Sequence, residues 1–260
     1  MITSILNGIR AYFGTFELIS KLKLWKYFAI PILITFITGI LFMTLAYFLA
    51  QPLGNFVAKI WIWDWGSETF RIITKFISVL LILALGLILY KHIVMALSAP
   101  FMSPVSEKVE AYLTQKKLHH HRQTTFGEQL ARGIRVNTRN LFKELGYVIP
   151  LLLLSFIPLI GVIATIFIFI IQAYYVGFGN MDYTMERHFT YKESVAFVKK
   201  NKGTAIGNGI IFILMLFIPV IGLVLTLPIS VVAASTETIK LLEKQHILSN
   251  IQEIEVEKLL

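Results

Sequence analysis

Four stretches of this chain contain no lysine, arginine, aspartate or glutamate: 27–58, 76–90, 145–181 and 203–236. Crossing a bilayer core of roughly 30 Å takes about 20 apolar residues in an α-helix. Membrane-barrel strands would show segments of ~10 residues alternating between apolar and polar, and no such alternation is present. The pattern therefore predicts an all-α integral membrane protein. The first span is placed over 25–58. The second stretch is short and bounded by Lys75 and Lys91. Basic stems can snorkel to the interface, so the second span is read as 72–100, past Lys91 and His92. Ahead of the first span, Ile2, Ile5, Leu6, Ile9, Phe13 and Phe16 recur at helical spacing, with Asn7, Arg10 and Glu17 between them. This predicts an interfacial amphipathic helix over 1–24 and not a cleavable signal peptide, a disordered tail being the alternative.

The third and fourth stretches are interrupted, one by Pro158 and Gly161, the other by Pro219 and Gly222. The segment 145–158 would form a helix of only ~21 Å, too short to cross. Each stretch is read as a hemi-penetrating helical hairpin, over 145–181 and 203–236. A single kinked spanning helix is the competing reading, since proline is tolerated in such helices. The two stretches share a hexapeptide, Phe156-Ile-Pro-Leu-Ile-Gly161 and Phe217-Ile-Pro-Val-Ile-Gly222, and each follows a capping box, Thr125-x-x-Glu128 or Thr190-x-x-Glu193. The unit, a capped basic helix followed by a broken hydrophobic hairpin, is thus used twice. Cytoplasmic helices over 103–144, a connection over 182–202 and a tail over 237–260 complete a single membrane domain of 260 residues.

Charge orients this arrangement. Arg10, Lys21, Lys23 and Lys26 precede span one, and 108–143 and 187–202 are rich in lysine and arginine. The connection between the spans carries Lys59 and Arg71 balanced by Asp64 and Glu68. The positive-inside rule places that connection outside and both termini in the cytoplasm, in a bacterial inner membrane. All four tryptophans, Trp25, Trp61, Trp63 and Trp65, flank the first two spans, where an aromatic belt sits. Composition agrees: 56% hydrophobic and 15% charged residues, with a mean hydropathy of +0.73. The net charge of +9 is spread over cytoplasmic loops, which argues against a nucleic-acid partner. There is no cysteine, hence no disulfide and no thiolate metal site. His119, His120 and His121 have no acidic partner at ligand spacing and are read as loop. No phosphate loop, nucleophile elbow or zinc-protease helix is present, so no enzyme, cofactor or metal is expected.

Two features point to an anion. Paired, Pro/Gly-broken hydrophobic segments mark binding sites in transporters, and backbone N–H groups freed at the apices near Gly161 and Gly222 would favour negative charge. A merely structural turn is the alternative. On the helix after Thr125, Arg132, Arg135, Arg139 and Lys143 share one face, opposite Leu130, Ile134, Leu141 and Leu145. This predicts a helix lying on the cytoplasmic surface, its basic face gathering either an anionic substrate or anionic lipid.

Ala99-Pro-Phe-Met-Ser-Pro-Val-Ser-Glu-Lys-Val-Glu110 resembles the signature of the CysZ-like sulfate transporter family, which is grouped with the eukaryotic etoposide-induced membrane proteins. Further matching segments are 8–31, the Phe-Ile-Pro-Leu-Ile-Gly turn at 156–161, Met181-Asp-Tyr, and Phe189-Thr-Tyr-Lys-Glu. The resemblance covers nearly the whole chain in order. It implies two long spans with two hemi-penetrating hairpins, assembly as dimers or higher homo-oligomers, and passage of sulfate, a small inorganic anion, into the cytoplasm to feed cysteine synthesis. It also implies an anion site just before span one, built in the family from a glycine, backbone amides and two adjacent arginines. Lys23 stands here for the glycine and Trp25 and Lys26 for the arginines, so the candidate site is Ser20, Lys21, Lys23 and Lys26. The motif residues Ala99, Pro100, Phe101, Glu107 and Glu110 match, whereas a basic residue often found two positions after Glu110 is Tyr112. Ser103-Pro104 reads as a helix cap followed by proline at the first helical position. A membrane-structural protein without transport activity and a transporter of a different anion are the alternative functions.

Overall fold

The computed structural model describes residues 1–58, 67–115, 124–155, 157, 159–218 and 221–257. Every regular element among them is helical. The amphipathic N-terminus forms α1 (Ile2–Arg10) and α2 (Thr15–Lys21), broken at Gly14, whose φ of 84° suits a residue without a Cβ. α1 does not lie free. Gly8 packs against the backbone of Thr204 and Asn208, and Gly207 faces Ile5, while Ile2, Phe13 and Phe16 stay exposed. A 3₁₀ turn (Leu24–Tyr27) then leads into α3 (Ala29–Ala58), anchored by buried Leu24 and Phe28.

α3 is apolar on all sides and shows Phe36, Ile40, Leu41, Tyr47 and Phe48 outward, which suits a helix bathed in lipid. α4 (Ser67–Leu97) packs along it, where Tyr90 meets Phe42 edge-on with ring centroids 6.3 Å apart. Trp61, Trp63, Trp65 and His119 to His121 lie outside the described residues.

The chain turns by 67° from α4 into α5 (Ala99–Thr114). Here the structure corrects the sequence reading. The helix starts after Ser98, and Ser103 does not cap: Pro100 takes the early helical position, where it has no N–H to lose, and Pro104 lies inside α5.

α6 (Phe126–Leu154) starts at the expected capping box, with the Thr125 N–H donating to Glu128 Oε2 at 2.8 Å and the Glu128 N–H to Thr125 Oγ1 at 3.3 Å. It runs unbroken into the hydrophobic stretch, so the basic helix and the first arm of the predicted hairpin are one element. α7 (Ile160–Met185) returns antiparallel to it: Arg132 bonds Asp182, and Asn140 bonds the Tyr175 carbonyl. The second unit is built likewise but is broken once more. α8 (Tyr191–Lys200) has its own capping box, Thr190 with Glu193. Asn201 separates it from α9 (Lys202–Leu216), and α10 (Ile221–Glu257) folds back along α9, with Asn208 donating to the Ser230 carbonyl.

The two units interlock through glycines. Gly177 of α7 abuts the Ala205 carbonyl, and Gly209 of α9 abuts the Ala173 carbonyl, so a Cβ at either would overlap backbone. Small residues let membrane helices approach this closely. Leu24–Leu49, Ile160–Met185 and Val224–Gln245 are long and apolar enough to cross a bilayer, with the bent α4–α5 pair as a fourth. The last of the three windows is 72% buried inside the protein. The chain is a multi-pass helical membrane protein.

Candidate functional site

The lysines before span one converge on tyrosines. The Lys21 ammonium donates to the Tyr112 hydroxyl at 2.6 Å and lies 4.9 Å from that ring's centroid. Lys26 and Lys108 lie over Tyr27, at 5.3 and 5.8 Å from its centroid. Ser20 is exposed nearby. Lys23 has φ 52° and ψ 44°, the left-handed conformation. A glycine takes this conformation without strain, which gives a backbone reason for glycine in the related pattern; lysine holds it at a small cost. Tyr112, standing where a base is common in the related pattern, receives its positive charge from Lys21 of α2. The hydrogen bond to Tyr112 raises the affinity of the Lys21 amine for its proton.

The motif residues of α5 divide into two roles. Ala99 and Pro100 are buried, Ala99 facing Gly133 of α6, and Phe101 meets Phe126 edge-on with centroids 5.7 Å apart. These lock the α4–α5 bend onto α6. Glu110 instead reaches the C-terminal end of α7, where its carboxylate accepts from Arg187 Nη2 at 2.8 Å and lies 2.6 Å from His188 Nε2. Glu107 is half-buried on the same helix.

From this cluster a file of polar groups enters the core. Arg187 donates to Ser106 at 2.9 Å, Ser106 pairs with Thr184 at 2.8 Å, and Thr184 donates to Ser235 at 3.0 Å. One turn back along α7, Asn180 donates to Asn208 at 2.8 Å. The Tyr12 hydroxyl lies 2.8 Å from the Asn208 carbonyl and 2.7 Å from Ser230 Oγ. The Asn180 amide oxygen and the Thr226 and Thr238 hydroxyls are buried without a hydrogen-bond partner among the described residues. Buried polar groups left unpaired are costly, so such a file is a place where function is expected.

A second buried cluster joins α4 to α6. Glu144, wholly buried, accepts from the Lys91 ammonium at 2.5 Å and lies 2.8 Å from His92 Nε2; His92 Nδ1 lies 3.3 Å from Asn137 Oδ1. Lys91 and His92 therefore do not snorkel; they pair inward.

The apex residues behave differently from the expectation of freed donors. The Gly161 N–H donates to the Ile157 carbonyl at 2.7 Å and the Gly222 N–H to the Ile218 carbonyl at 2.9 Å. A Cβ on Gly161 would strike the Ser155 carbonyl and one on Gly222 the Met215 carbonyl, so both glycines close tight turns. Leu159, 86% exposed, and Phe217 make the tips apolar. Pro158 and Pro219 lie outside the described residues.

The basic stripe is also corrected. α6 buries Gly133, Val136, Asn137, Asn140, Glu144 and Val148 along its length, and Ile134 is exposed. Arg132 binds both oxygens of Asp182, the Phe189 carbonyl and Ser194 Oγ. Arg135 stacks on Tyr191, 4.4 Å from the ring centroid, and Arg139 bonds Asn140 at 2.8 Å. Three of the four bases thus brace α6 against its own residues and its neighbours. Pairing satisfies a guanidinium better than open water when a carboxylate is held in bidentate geometry.

Sequence reading missed Lys91, His92, Glu144, Arg187, His188 and the Tyr12–Asn208–Ser230 group. One signal was present: Asn137, Asn140 and Glu144 recur at helical spacing within α6, a polar stripe inside its buried face.

Residues 11–226 match the family described as Sulfate transporter CysZ/Etoposide-induced protein 2.4. Among curated proteins, a sulfate transporter CysZ of Pseudomonas aeruginosa is 28% identical over 177 residues, 66% of this chain and 70% of its own length. One from Vibrio parahaemolyticus is 28% identical over 141 residues, 54% of this chain and 57% of its own length. One from Pseudomonas syringae is 29% identical over 144 residues, 54% of this chain and 55% of its own length. The matched stretch thus spans little more than half the length of two of these relatives. The family match over 11–226 takes in the pre-span lysines, the α5 motif and the polar file from Tyr12 to Asn208, and the chain belongs to the Sulfate transporter CysZ/Etoposide-induced protein 2.4 family.

Proposed function

We propose that this protein carries a small oxyanion, sulfate by preference, across a bacterial inner membrane into the cytoplasm. The observation that carries the reading is the buried file Arg187–Ser106–Thr184–Ser235 with Asn180, Asn208, Ser230 and Tyr12. Neutral hydroxyl and amide donors can replace the water shell of an oxyanion without trapping it as fixed charges would. Lys21, Lys23 and Lys26, with Ser20, are the gathering site at the cytoplasmic side. In this arrangement α3 and α4 cross the bilayer, the tips around Gly161 and Gly222 enter it partway, and the exposed apolar residues of α1 and α2 rest in the interface. Both termini face the cytoplasm, and the chain works as a homo-oligomer. The apolar, outward tips support their insertion, and the charge distribution supports the orientation.

The test is uptake of labelled sulfate by proteoliposomes containing the full chain. Saturable uptake above empty vesicles is expected, and folded protein without it would refute transport of sulfate. A membrane-structural role is the second reading, favoured by the closed turns at Gly161 and Gly222. Uptake of another oxyanion in place of sulfate would identify a different substrate for the same path.

A further inference from the structure

A cavity of about 300 Å³ opens between the start of α6 and the end of α7, and its lining includes Glu128, Arg132, Arg135, Glu186, Thr190 and Tyr191. Its size is at the lower end for small-molecule sites. Two of the four charged residues that line it are already engaged. Arg132 is held by Asp182, the Phe189 carbonyl and Ser194. Glu128 closes its own capping box on Thr125.

Two opposite charges are not engaged in this way. Glu186 is only 3% exposed, and its Oε1 has no hydrogen-bond partner among the described residues. Burial pushes its carboxyl up to about 7; a hydrogen bond from Ser103 and the nearby charges of Arg187 and Arg132 oppose the rise, and Asp182 adds to it. Arg135 lies flat over Tyr191 and enters no ion pair among the described residues. A stacked guanidinium still presents its in-plane N–H groups to an acceptor. Glu186 and Arg135 do not pair with each other among the described residues, and both line the same space.

We propose that this cavity is a binding site for a small zwitterion of the α-amino-acid class, with its ammonium on Glu186 and its carboxylate on Arg135. The ligand supplies a donor to the Glu186 oxygen that has none among the described residues, and an acceptor to Arg135. A simple anion would meet the buried Glu186 carboxylate, and a simple cation would leave Arg135 unused beside Arg132. The site bridges α6 to the turn between α7 and α8, the same elements that Arg132 clamps. Occupancy therefore stiffens the connection between the two repeated units, and the ligand acts as an effector rather than as cargo.

The experiment uses the full chain purified in detergent at pH 8. Thermal unfolding is followed with each of the twenty common amino acids, and with the amidated and N-acetylated forms of any that bind. At least one amino acid is expected to raise the midpoint saturably, while its amide and its N-acetyl form shift it far less. Glu186→Gln and Arg135→Ala should each weaken binding at least tenfold, and Arg135→Lys should restore part of it. Size-exclusion profiles matching the parent exclude misfolding of these variants. No shift with any amino acid, equal shifts with the amide and N-acetyl forms, or binding that survives both substitutions would each overturn the proposal. None of these readouts depends on sulfate uptake.

Discussion

Glu186 and Asp182 stand one turn apart at the end of α7 and have opposite fates. Asp182 is held by the Arg132 guanidinium at 2.9 and 3.0 Å; Glu186 has one carboxylate oxygen without a donor among the described residues. An acid whose folded-state pKa is raised loses stability on ionising. The contribution is full below the unfolded value near 4.5 and is lost as pH rises through about 7. Glu186→Gln, which removes the ionisation, is therefore expected to raise the unfolding midpoint at pH 8, by up to about 3 kcal/mol in stability, with the gain shrinking as pH falls below 7. A midpoint difference independent of pH between 5 and 8 would contradict this. Arg132→Ala is expected to cost about 3 kcal/mol, since it leaves the buried Asp182 carboxylate unpaired; Asp182→Asn in the same background should recover part of the loss. At the pre-span site, changing Lys21, Lys23 and Lys26 together to Gln is expected to raise the KM for sulfate uptake roughly tenfold by removing electrostatic focusing. An unchanged KM would exclude these lysines from anion capture.

At the scale of elements, one device holds the repeated units together and a second joins the first unit to α4. The first is steric. Gly177 and Gly209 each face a carbonyl of the opposing helix, so Gly177→Ala or Gly209→Ala must push α7 and α9 apart. A loss of about 1–3 kcal/mol is expected for either, read as a lower thermal midpoint in detergent, whereas Gly127→Ala, with open space around it, should be neutral. The second is electrostatic. Glu144 of α6 lies between Lys91 and His92 of α4. Removing Glu144 alone leaves two donors facing each other in a buried site, a change that costs about 3–5 kcal/mol in comparable pairs. Lys91→Met with Glu144→Gln should be less damaging than Glu144→Gln alone, and a double variant as unstable as the sum of its singles would show that the two do not interact. Both capping boxes and the breaks of the third and fourth apolar stretches near Gly161 and Gly222 were legible in the sequence, because each rests on residues within four positions of one another. The true position of the α4–α5 break was not. Ser98 and Ser103 both precede proline-containing segments, and only packing of Ala99 against Gly133 decides between them.

For the whole molecule, apolar surface is distributed in a way that fits a bilayer and not water. α3 and the helical tips expose Phe36, Phe48, Leu159 and Phe217, while Asn180, Thr184, Asn208, Ser230 and Ser235 are buried. So many exposed large apolar side chains around an apolar core are not what a soluble domain shows. Sequence alone determined the class of the protein, because membrane helices are recognised by composition over about 20 residues. It likewise determined the paired breaks and the basic character of particular connections. Tertiary structure decided which charges are free. Arg132 and Arg139 read as part of an open basic face but are turned onto Asp182 and Asn140, whereas Arg135 stacks on Tyr191 without an ion pair among the described residues. Lys91, read as a snorkelling end, is locked to Glu144. The physical reason is range: helical periodicity relates a residue to neighbours three or four positions away, whereas Arg132 and Asp182 are joined across 50 positions of chain, and only the packing of α6 on α7 brings them together.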